Sequence, residues 1–214
     1  LGRQSRNSTQ RRGVFVSDLQ TGDIKINGVN IRGTDEVDDD LSYSFASGSA
    51  ISKAKAINHS TRFNGVRAIV GHNVVRGFEP LREIELGPQQ FFKVNGYAIT
   101  AIKVETKDAT GILESSINAG YSQTGVVAEV DGEGHLILTA EDGRNITVEY
   151  GSGAVRDAIR LIDANGDPVN LVDTVDPAQT DLDGDIEEVT FTGTGTYNGQ
   201  HDIAGDVVIN TVTS

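Results

Sequence analysis

The feature of this sequence that most constrains its fold is a set of three short blocks that occurs twice in the same order. The blocks are residues 26–31 (INGVNI), 56–58 (AIN) and 64–70 (NGVRAIV), and then 94–99 (VNGYAI), 116–118 (SIN) and 124–130 (TGVVAEV). The opening blocks are 68 residues apart (94 minus 26) and the later blocks 60 (117 minus 57), so one spacer is longer in the first copy. This pattern indicates a duplicated structural unit with an insertion in its first copy.

Each block predicts one structural element. Residues 22–31 and 92–99 alternate apolar and polar side chains around an Asn-Gly pair, which predicts a hairpin because both turn residues tolerate positive φ. Residues 49–58 predict a short amphipathic helix capped by Ser49, and residues 108–118 predict its counterpart, which stops at Gly120. The third block alternates again and predicts a strand. Each copy is therefore expected to form a hairpin, a helix and a strand.

The predicted fold class is α+β, mainly antiparallel β with one short helix per duplicated copy. We expect residues 1–162 to form the duplicated region, with copies at about 22–75 and 90–150. Residues 163–214 are expected to form an acidic, β-rich region that packs back on the N-terminal strand. Within that region residues 205–212 (GDVVINTV) parallel the first hairpin, which leaves two alternatives, the start of a third copy or a closing strand.

After the second copy, residues 136–148 (LILTAEDGRNITV) predict two strands around an Asp-Gly turn. Taken with INGVNI, SAISKAKAIN and NGVRAIV, this segment resembles the variable central region of bacterial flagellin, including its repeated insertion motif. The resemblance covers residues from about 11 to 150. It implies that the chain is the surface-exposed outer part of a flagellar filament subunit.

The resemblance also implies a location and partners. The protein is expected to be extracellular, in the bacterial flagellum, and to serve motility and the surface properties of the filament. Flagellin subunits join through long terminal helices, and this sequence lacks the sustained heptads of such helices. We therefore expect a fragment that is monomeric alone. Related insertion motifs occur in flagellar cap proteins, so a cap protein or an adhesin-type binding module is the alternative.

Charge and cysteine content exclude several classes of function. The net charge of -13 arises mostly after Leu161, where 11 of the 31 acidic residues lie and no Lys or Arg occurs. Such a surface disfavours nucleic acid as a partner, and no apolar run is long enough to predict a membrane partner. The absence of Cys excludes disulfides, thiol catalysis and thiolate metal sites.

Candidate chemical sites are weak. Residues 163–167 and 181–185 place oxygen ligands at alternate positions, as calcium loops do, but Pro168 and Ile186 stand where each loop would need glycine. The acidic insertion at 33–40 is expected to be an exposed charged loop. The histidines lack ligand spacing: His59, His72, His135 and His201. The sequence thus predicts no enzyme, no cofactor, and no catalytic, cofactor-binding or metal site.

Overall fold

The computed structural model of this chain describes residues 18–161, together with the backbone of two strands at 187–191 and 208–211. The described part combines helices with antiparallel strands, which confirms the predicted α+β class. The strands are β1 (Lys25–Ile26), β2 (Val29–Asn30), β3 (Val66–Ile69), β4 (Asn73–Arg76), β5 (Ile84–Leu86), β6 (Phe92–Val94), β7 (Tyr97–Ile99), β8 (Ile102–Val104), β9 (Val127–Val130), β10 (Leu136–Ala140), β11 (Ile146–Tyr150), β12 (Glu187–Phe191) and β13 (Val208–Thr211). The helices are α1 (Ala50–Asn58), α2 (Thr61–Asn64), α3 (Ile112–Ala119), α4 (Tyr121–Thr124) and α5 (Gly153–Ile159).

The two sequence copies fold into the same succession of elements. The first module contains the hairpin β1–β2, helices α1 and α2, and strand β3; the second contains β6–β7, α3, α4 and β9. At the first hairpin Asn27 has φ 47° and Gly28 φ 83°, and at the second Asn95 has φ 44° and Gly96 φ 78°. Positive φ at both central residues is the geometry that matches strand twist in a two-residue hairpin. The Asn-Gly pairs therefore form the predicted turns.

An asparagine at the end of each long helix joins that helix to the third-block strand. The side chain of Asn58 donates to the carbonyl of Ala68 at 2.9 Å and accepts from its N–H at 2.7 Å. Asn118 makes the same pair of bonds to Ala128, at 2.9 and 2.8 Å. An amide side chain is a backbone mimic with one donor side and one acceptor side, so it extends the ladder of the strand that it meets. We call this pair of hydrogen bonds the asparagine clamp.

The second long helix differs from its prediction at its N-terminal end and stops at Gly120 as predicted. It begins at Ile112, after Gly111 at φ 66°, and is preceded by a 3-10 turn at Thr106–Asp108. The carboxylate of Asp108 accepts from the N–H groups of Leu113 and Glu114, at 3.1 and 2.9 Å, and so caps the helix from outside it. Gly120 ends the helix at φ -86°, and α4 follows immediately.

The sequence did not predict the short helices α2 and α4. Each of them ends at a glycine with left-handed backbone, Gly65 at φ 70° and Gly125 at φ 65°. These two glycines belong to the third sequence block. Their conformation stops the helix and turns the chain into the next strand.

Strands β10 and β11 form where the sequence predicts them, but they do not pair with each other. Strand β10 lies between β4 and β9, whereas β11 lies between β6 and β12. Every residue of β11 is buried, so it needs a partner on each edge and cover on both faces, which a surface hairpin does not provide. The AEDGRNI segment is therefore a crossover between two sheets: the two predicted strands and a turn at Gly143 are present, but the turn does not pair the strands with each other.

Each module has its own apolar core. The larger core belongs to the second module and includes Phe92, Leu113, Ile117 and Leu138, none of which is exposed. The smaller core, in the first module, is built from Ile26, Ile31, Ala54, Ala56, Ile57, Val66 and Ala68. The helical faces predicted from Ile57 and Ile117 are thus the faces that pack on the sheets.

The C-terminal strands return to both modules. Strand β12 pairs with β11, and β13 pairs with β3 so that Ile209 lies opposite Ala68. Asn210 and Thr211 lie in that strand and not in a turn. Of the two alternatives for this segment, the start of a third copy or a closing strand, the structure therefore has the closing strand. The strand pairs with β3, not with the first hairpin.

Replacing Ile117 by Asp should destabilise the protein by about 4 kcal/mol or more, because a carboxylate would enter a fully buried apolar site. Urea unfolding measures this change. The matched control is Val74→Asp in β4, which lies in the sheet β4–β10–β9, where the side chain is 56% exposed and the expected loss is within about 1 kcal/mol. Equal unfolding midpoints for the two variants would refute the packing described.

Candidate functional site

The extra residues of the first module form a structured segment between β2 and α1. Arg32 donates to both carboxylate oxygens of Asp38, each at 2.7 Å, and the N–H of Asp35 donates to the same carboxylate at 3.1 Å. The hydrogen bond from Arg32 is the main reason why the pKa of Asp38 lies below its usual value. Asp38 and Asp39 are buried. The prediction of an exposed charged loop is therefore wrong for these two acids, which organise the segment from within.

This segment extends to the second module and binds the AEDGRNI crossover. The backbone N–H of Asn145 donates to the hydroxyl of Ser42 at 2.8 Å, and its side-chain amide donates to the carbonyls of Ser44 and Phe45 at 3.0 and 3.1 Å. The hydroxyls of Ser44 and Thr147 are 2.6 Å apart and hydrogen-bonded. We call these five residues the polar seam. Asn145 is fully buried and the two serines are half-buried, so the seam is a partly desolvated contact between the insertion and the second module.

A second asparagine holds the other side of the crossover. The side-chain amide of Asn95 donates to the carbonyls of Thr124 and Asn145, at 2.9 and 3.2 Å, and its oxygen accepts from the N–H of Thr147 at 2.7 Å. Its backbone N–H donates to the carbonyl of Thr147 at 2.8 Å. The sequence identified Asn95 only as a turn residue. Four hydrogen bonds from one residue fix the hairpin, the end of α4 and the start of β11 together.

The outer end of the crossover carries an ion pair. The guanidinium of Arg144 contacts the carboxylate of Asp142 at 2.6 Å and the carbonyl of Thr124 at 3.4 Å. Burial opposes ionisation of Asp142, but the hydrogen bonds from Arg144 outweigh it, and the pKa of Asp142 lies below its usual value. Two of the charges of the AEDGRNI motif, those of Asp142 and Arg144, thus neutralise each other locally.

Asp131, Glu133 and His135 form a cluster that sequence reasoning missed. Their ligand atoms lie within 4.8 Å of one another, in the loop between β9 and β10. The residues alternate as Asp-x-Glu-x-His, and that spacing is the signal that the sequence offered. Such a set could in principle offer three ligands to a divalent cation.

The surroundings of the cluster oppose that use. Asp131 accepts from the N–H groups of Glu133 and His135, each at 2.9 Å, and from the guanidinium of Arg76 at 2.5 Å. The backbone hydrogen bond from His135 is the largest cause of a pKa for Asp131 well below its usual value. Because Asp131 is already satisfied and a cationic side chain faces it, the cluster serves to close the loop.

The exposed large apolar side chains include a pair on one sheet and a set of aromatic rings. Val74 and Val127 lie on either side of Thr139 in one row across the sheet β4–β10–β9, and they are 56% and 40% exposed. The exposed aromatic residues lie in the insertion and on the short helices: Tyr43, Phe45, Phe63 and Tyr121. These are surfaces that contact with another molecule could cover.

The other residues considered as sites are not brought together in the described part of the chain. His59 and His72 are exposed, and His135 belongs to the loop cluster above. The alternating acids at 163–167 and 181–185, and His201, lie outside the described residues. Within residues 18–161, the histidine and acidic side chains yield the Asp131 cluster as the single group with ligand geometry.

Comparison with known protein families gives no match to a family model. Of the helices in the described ranges, none has the length and apolar character that crossing a membrane requires.

Replacing Asp131 by Asn should make stability less sensitive to acid. A carboxylate whose pKa is lowered by folding stabilises the protein above its unfolded pKa of about 4, and this contribution is lost as the pH falls towards the folded value. Urea unfolding between pH 5 and pH 2 should therefore show a shallower decline for the variant, while Glu129→Gln, at an exposed position of β9, should follow the wild type. Parallel curves for all three proteins would contradict the role assigned to Asp131.

Proposed function

We propose that this chain is the outer, surface-exposed part of a bacterial flagellin and that its function is structural. The observation that supports the proposal is the structural role of the segments that resemble flagellin. The two Asn-Gly turns, the helix-terminal Asn58 and Asn118, and the AEDGRNI crossover make the hydrogen bonds that hold the modules together. The resemblance therefore involves residues that determine the architecture.

The arrangement of the modules supports a scaffold role. The polar seam and the closing strand β13 both connect segments far apart in the sequence, as the pairing of Ser44 with Thr147 illustrates. Such long-range connections resist independent movement of the parts they join. A subunit that presents a surface at a fixed distance from a filament axis needs this property.

The proposal assigns partners and location as the resemblance implies. The chain would be carried outside the cell on the flagellar filament, with neighbouring flagellin subunits held through terminal helices outside this sequence. Its net charge of -13, repeated on many subunits, would oppose lateral association of filaments. In isolation the chain is expected to be a monomer.

A binding module, either a flagellar cap component or an adhesin, is the second candidate. The exposed aromatic rings of Tyr43, Phe45, Phe63 and Tyr121 favour it, because exposed aromatic side chains provide faces on which ligands such as sugar rings stack. A cap component would assemble into a small closed ring, whereas an outer flagellin domain would be monomeric by itself.

Antibodies raised against this chain should label flagellar filaments of the source organism along their whole length in immunogold electron microscopy. Uniform labelling is expected because every subunit of a filament presents the same surface. Labelling confined to the filament tip would favour a cap component instead. Labelling of the cell body without filaments, together with binding on a glycan array, would establish the adhesin.

A further inference from the structure

The chain contains several asparagines that are followed directly by glycine. In this dipeptide the backbone nitrogen of glycine reaches the asparagine side chain with little steric hindrance, because glycine has no Cβ. The sequence has five such pairs, with asparagine at positions 27, 64, 95, 165 and 198. The pairs at 165 and 198 lie outside the described residues. The other three share the same two residue types, so the fold decides how they differ in reactivity.

The pair Asn64-Gly65 is protected at the end of helix α2. The side chain of Asn64 is 2% exposed, and its oxygen accepts from the N–H of Val66 at 2.8 Å. The N–H of Gly65, which would have to attack, donates to the carbonyl of Thr61 at 2.8 Å. Burial and hydrogen bonding therefore hold both reacting groups in place.

The pair Asn95-Gly96 is protected in the second hairpin. Asn95 is 7% exposed. Its carboxamide makes three hydrogen bonds, to the backbone groups of Thr124, Asn145 and Thr147. The ring of Tyr43 covers the neighbouring glycine, since a Cβ on Gly96 would lie 2.6 Å from that ring. The carboxamide is thus fixed, and water has little access to it.

The pair Asn27-Gly28 has neither protection. Both residues are exposed, and within the described part of the chain no atom lies within 4 Å of a Cβ built on Gly28. The carboxamide donates to the carbonyl of Asn64 at 2.7 Å, so its carbon remains accessible from the solvent side. The turn joins strands of two residues each, so the tip of this hairpin opens by breaking few hydrogen bonds.

We propose that Asn27 is a site of deamidation in the folded protein. The backbone nitrogen of Gly28 attacks Cγ of Asn27; the new N–C bond forms as the bond from Cγ to Nδ2 breaks. The proton lost by the Gly28 nitrogen leaves with the side-chain nitrogen as ammonia. Water then opens the resulting cyclic imide at either carbonyl, which gives aspartate or isoaspartate. This inference rests on the geometry of the hairpins and is independent of the proposed flagellar function.

The reaction alters the contact between the first hairpin and helix α2. The ionised aspartate product has no side-chain N–H, so a carboxylate oxygen would face the carbonyl of Asn64 where a donor stood before. Isoaspartate also adds a carbon atom to the main chain within the turn. Either product should loosen the hairpin from the end of α2.

Peptide mapping by mass spectrometry during incubation at mildly alkaline pH tests the proposal. In the folded chain Asn27 should deamidate at least about tenfold faster than Asn64 and Asn95, because a protected site reacts only while it is open. In concentrated urea the three sites should react at similar rates. The unfolded chain is thus the control that separates the effect of the fold from that of the dipeptide.

Two results of this experiment would overturn the proposal. One is an equal rate at Asn27 and Asn95 in the folded chain. The other is an Asn27 that stays intact in the folded chain over the period in which it reacts fully in urea.

A second measurement tests the structural consequence. Asn27→Asp should lower the urea midpoint of unfolding relative to Asn30→Asp, which makes the same change of charge at an exposed position of β2. Equal midpoints for these two variants would contradict the loosening of the first hairpin.

Discussion

Each module depends on one asparagine that hydrogen-bonds both backbone groups of a single strand residue. Without Asn58 or Asn118, the long helix would lose both hydrogen bonds to Ala68 or Ala128, and apolar packing fixes the distance to the strand but allows sliding. The two hydrogen bonds set the register between helix and strand. That register decides whether the side chain of Ala68 or Ala128 faces the core. The rest of the module, including the positions of its hairpin and its short helix, follows from that alignment.

The insertion has a role that is distinct from the repeat. Internal bonds between Arg32, Asp35 and Asp38 give it a fixed shape, and the polar seam fixes it to Asn145 of the second module. The crossover AEDGRNI is therefore held from two sides, by the insertion and by Asn95. Duplication supplied two similar units, and the residues that differ between them supply the connection. In the filament subunit proposed above, this connection would set the orientation of the second module relative to the first.

Local patterns predicted the turns, the cap at Ser49 and the apolar helix faces, because each of these depends on neighbouring residues. The pairing of β10 with β4 was not predictable, since it depends on which strand edges are left open after folding. The buried roles of Asp38 and Asn145 were missed for a related reason. Their hydrogen-bond partners are Arg32 and Ser44. The sequence alone does not indicate which other residue a polar side chain will bond to in the fold.

The most direct test of this account is the free energy of unfolding of Asn58→Ala and Asn118→Ala, measured by urea denaturation. Each substitution should lower it by about 2 kcal/mol, because two hydrogen bonds are lost and the strand N–H and carbonyl are left unpaired. Asn30→Ala, at an exposed position of β2, should change it little. If both clamp variants unfolded like Asn30→Ala, the asparagines would not hold the modules together and the account would be wrong.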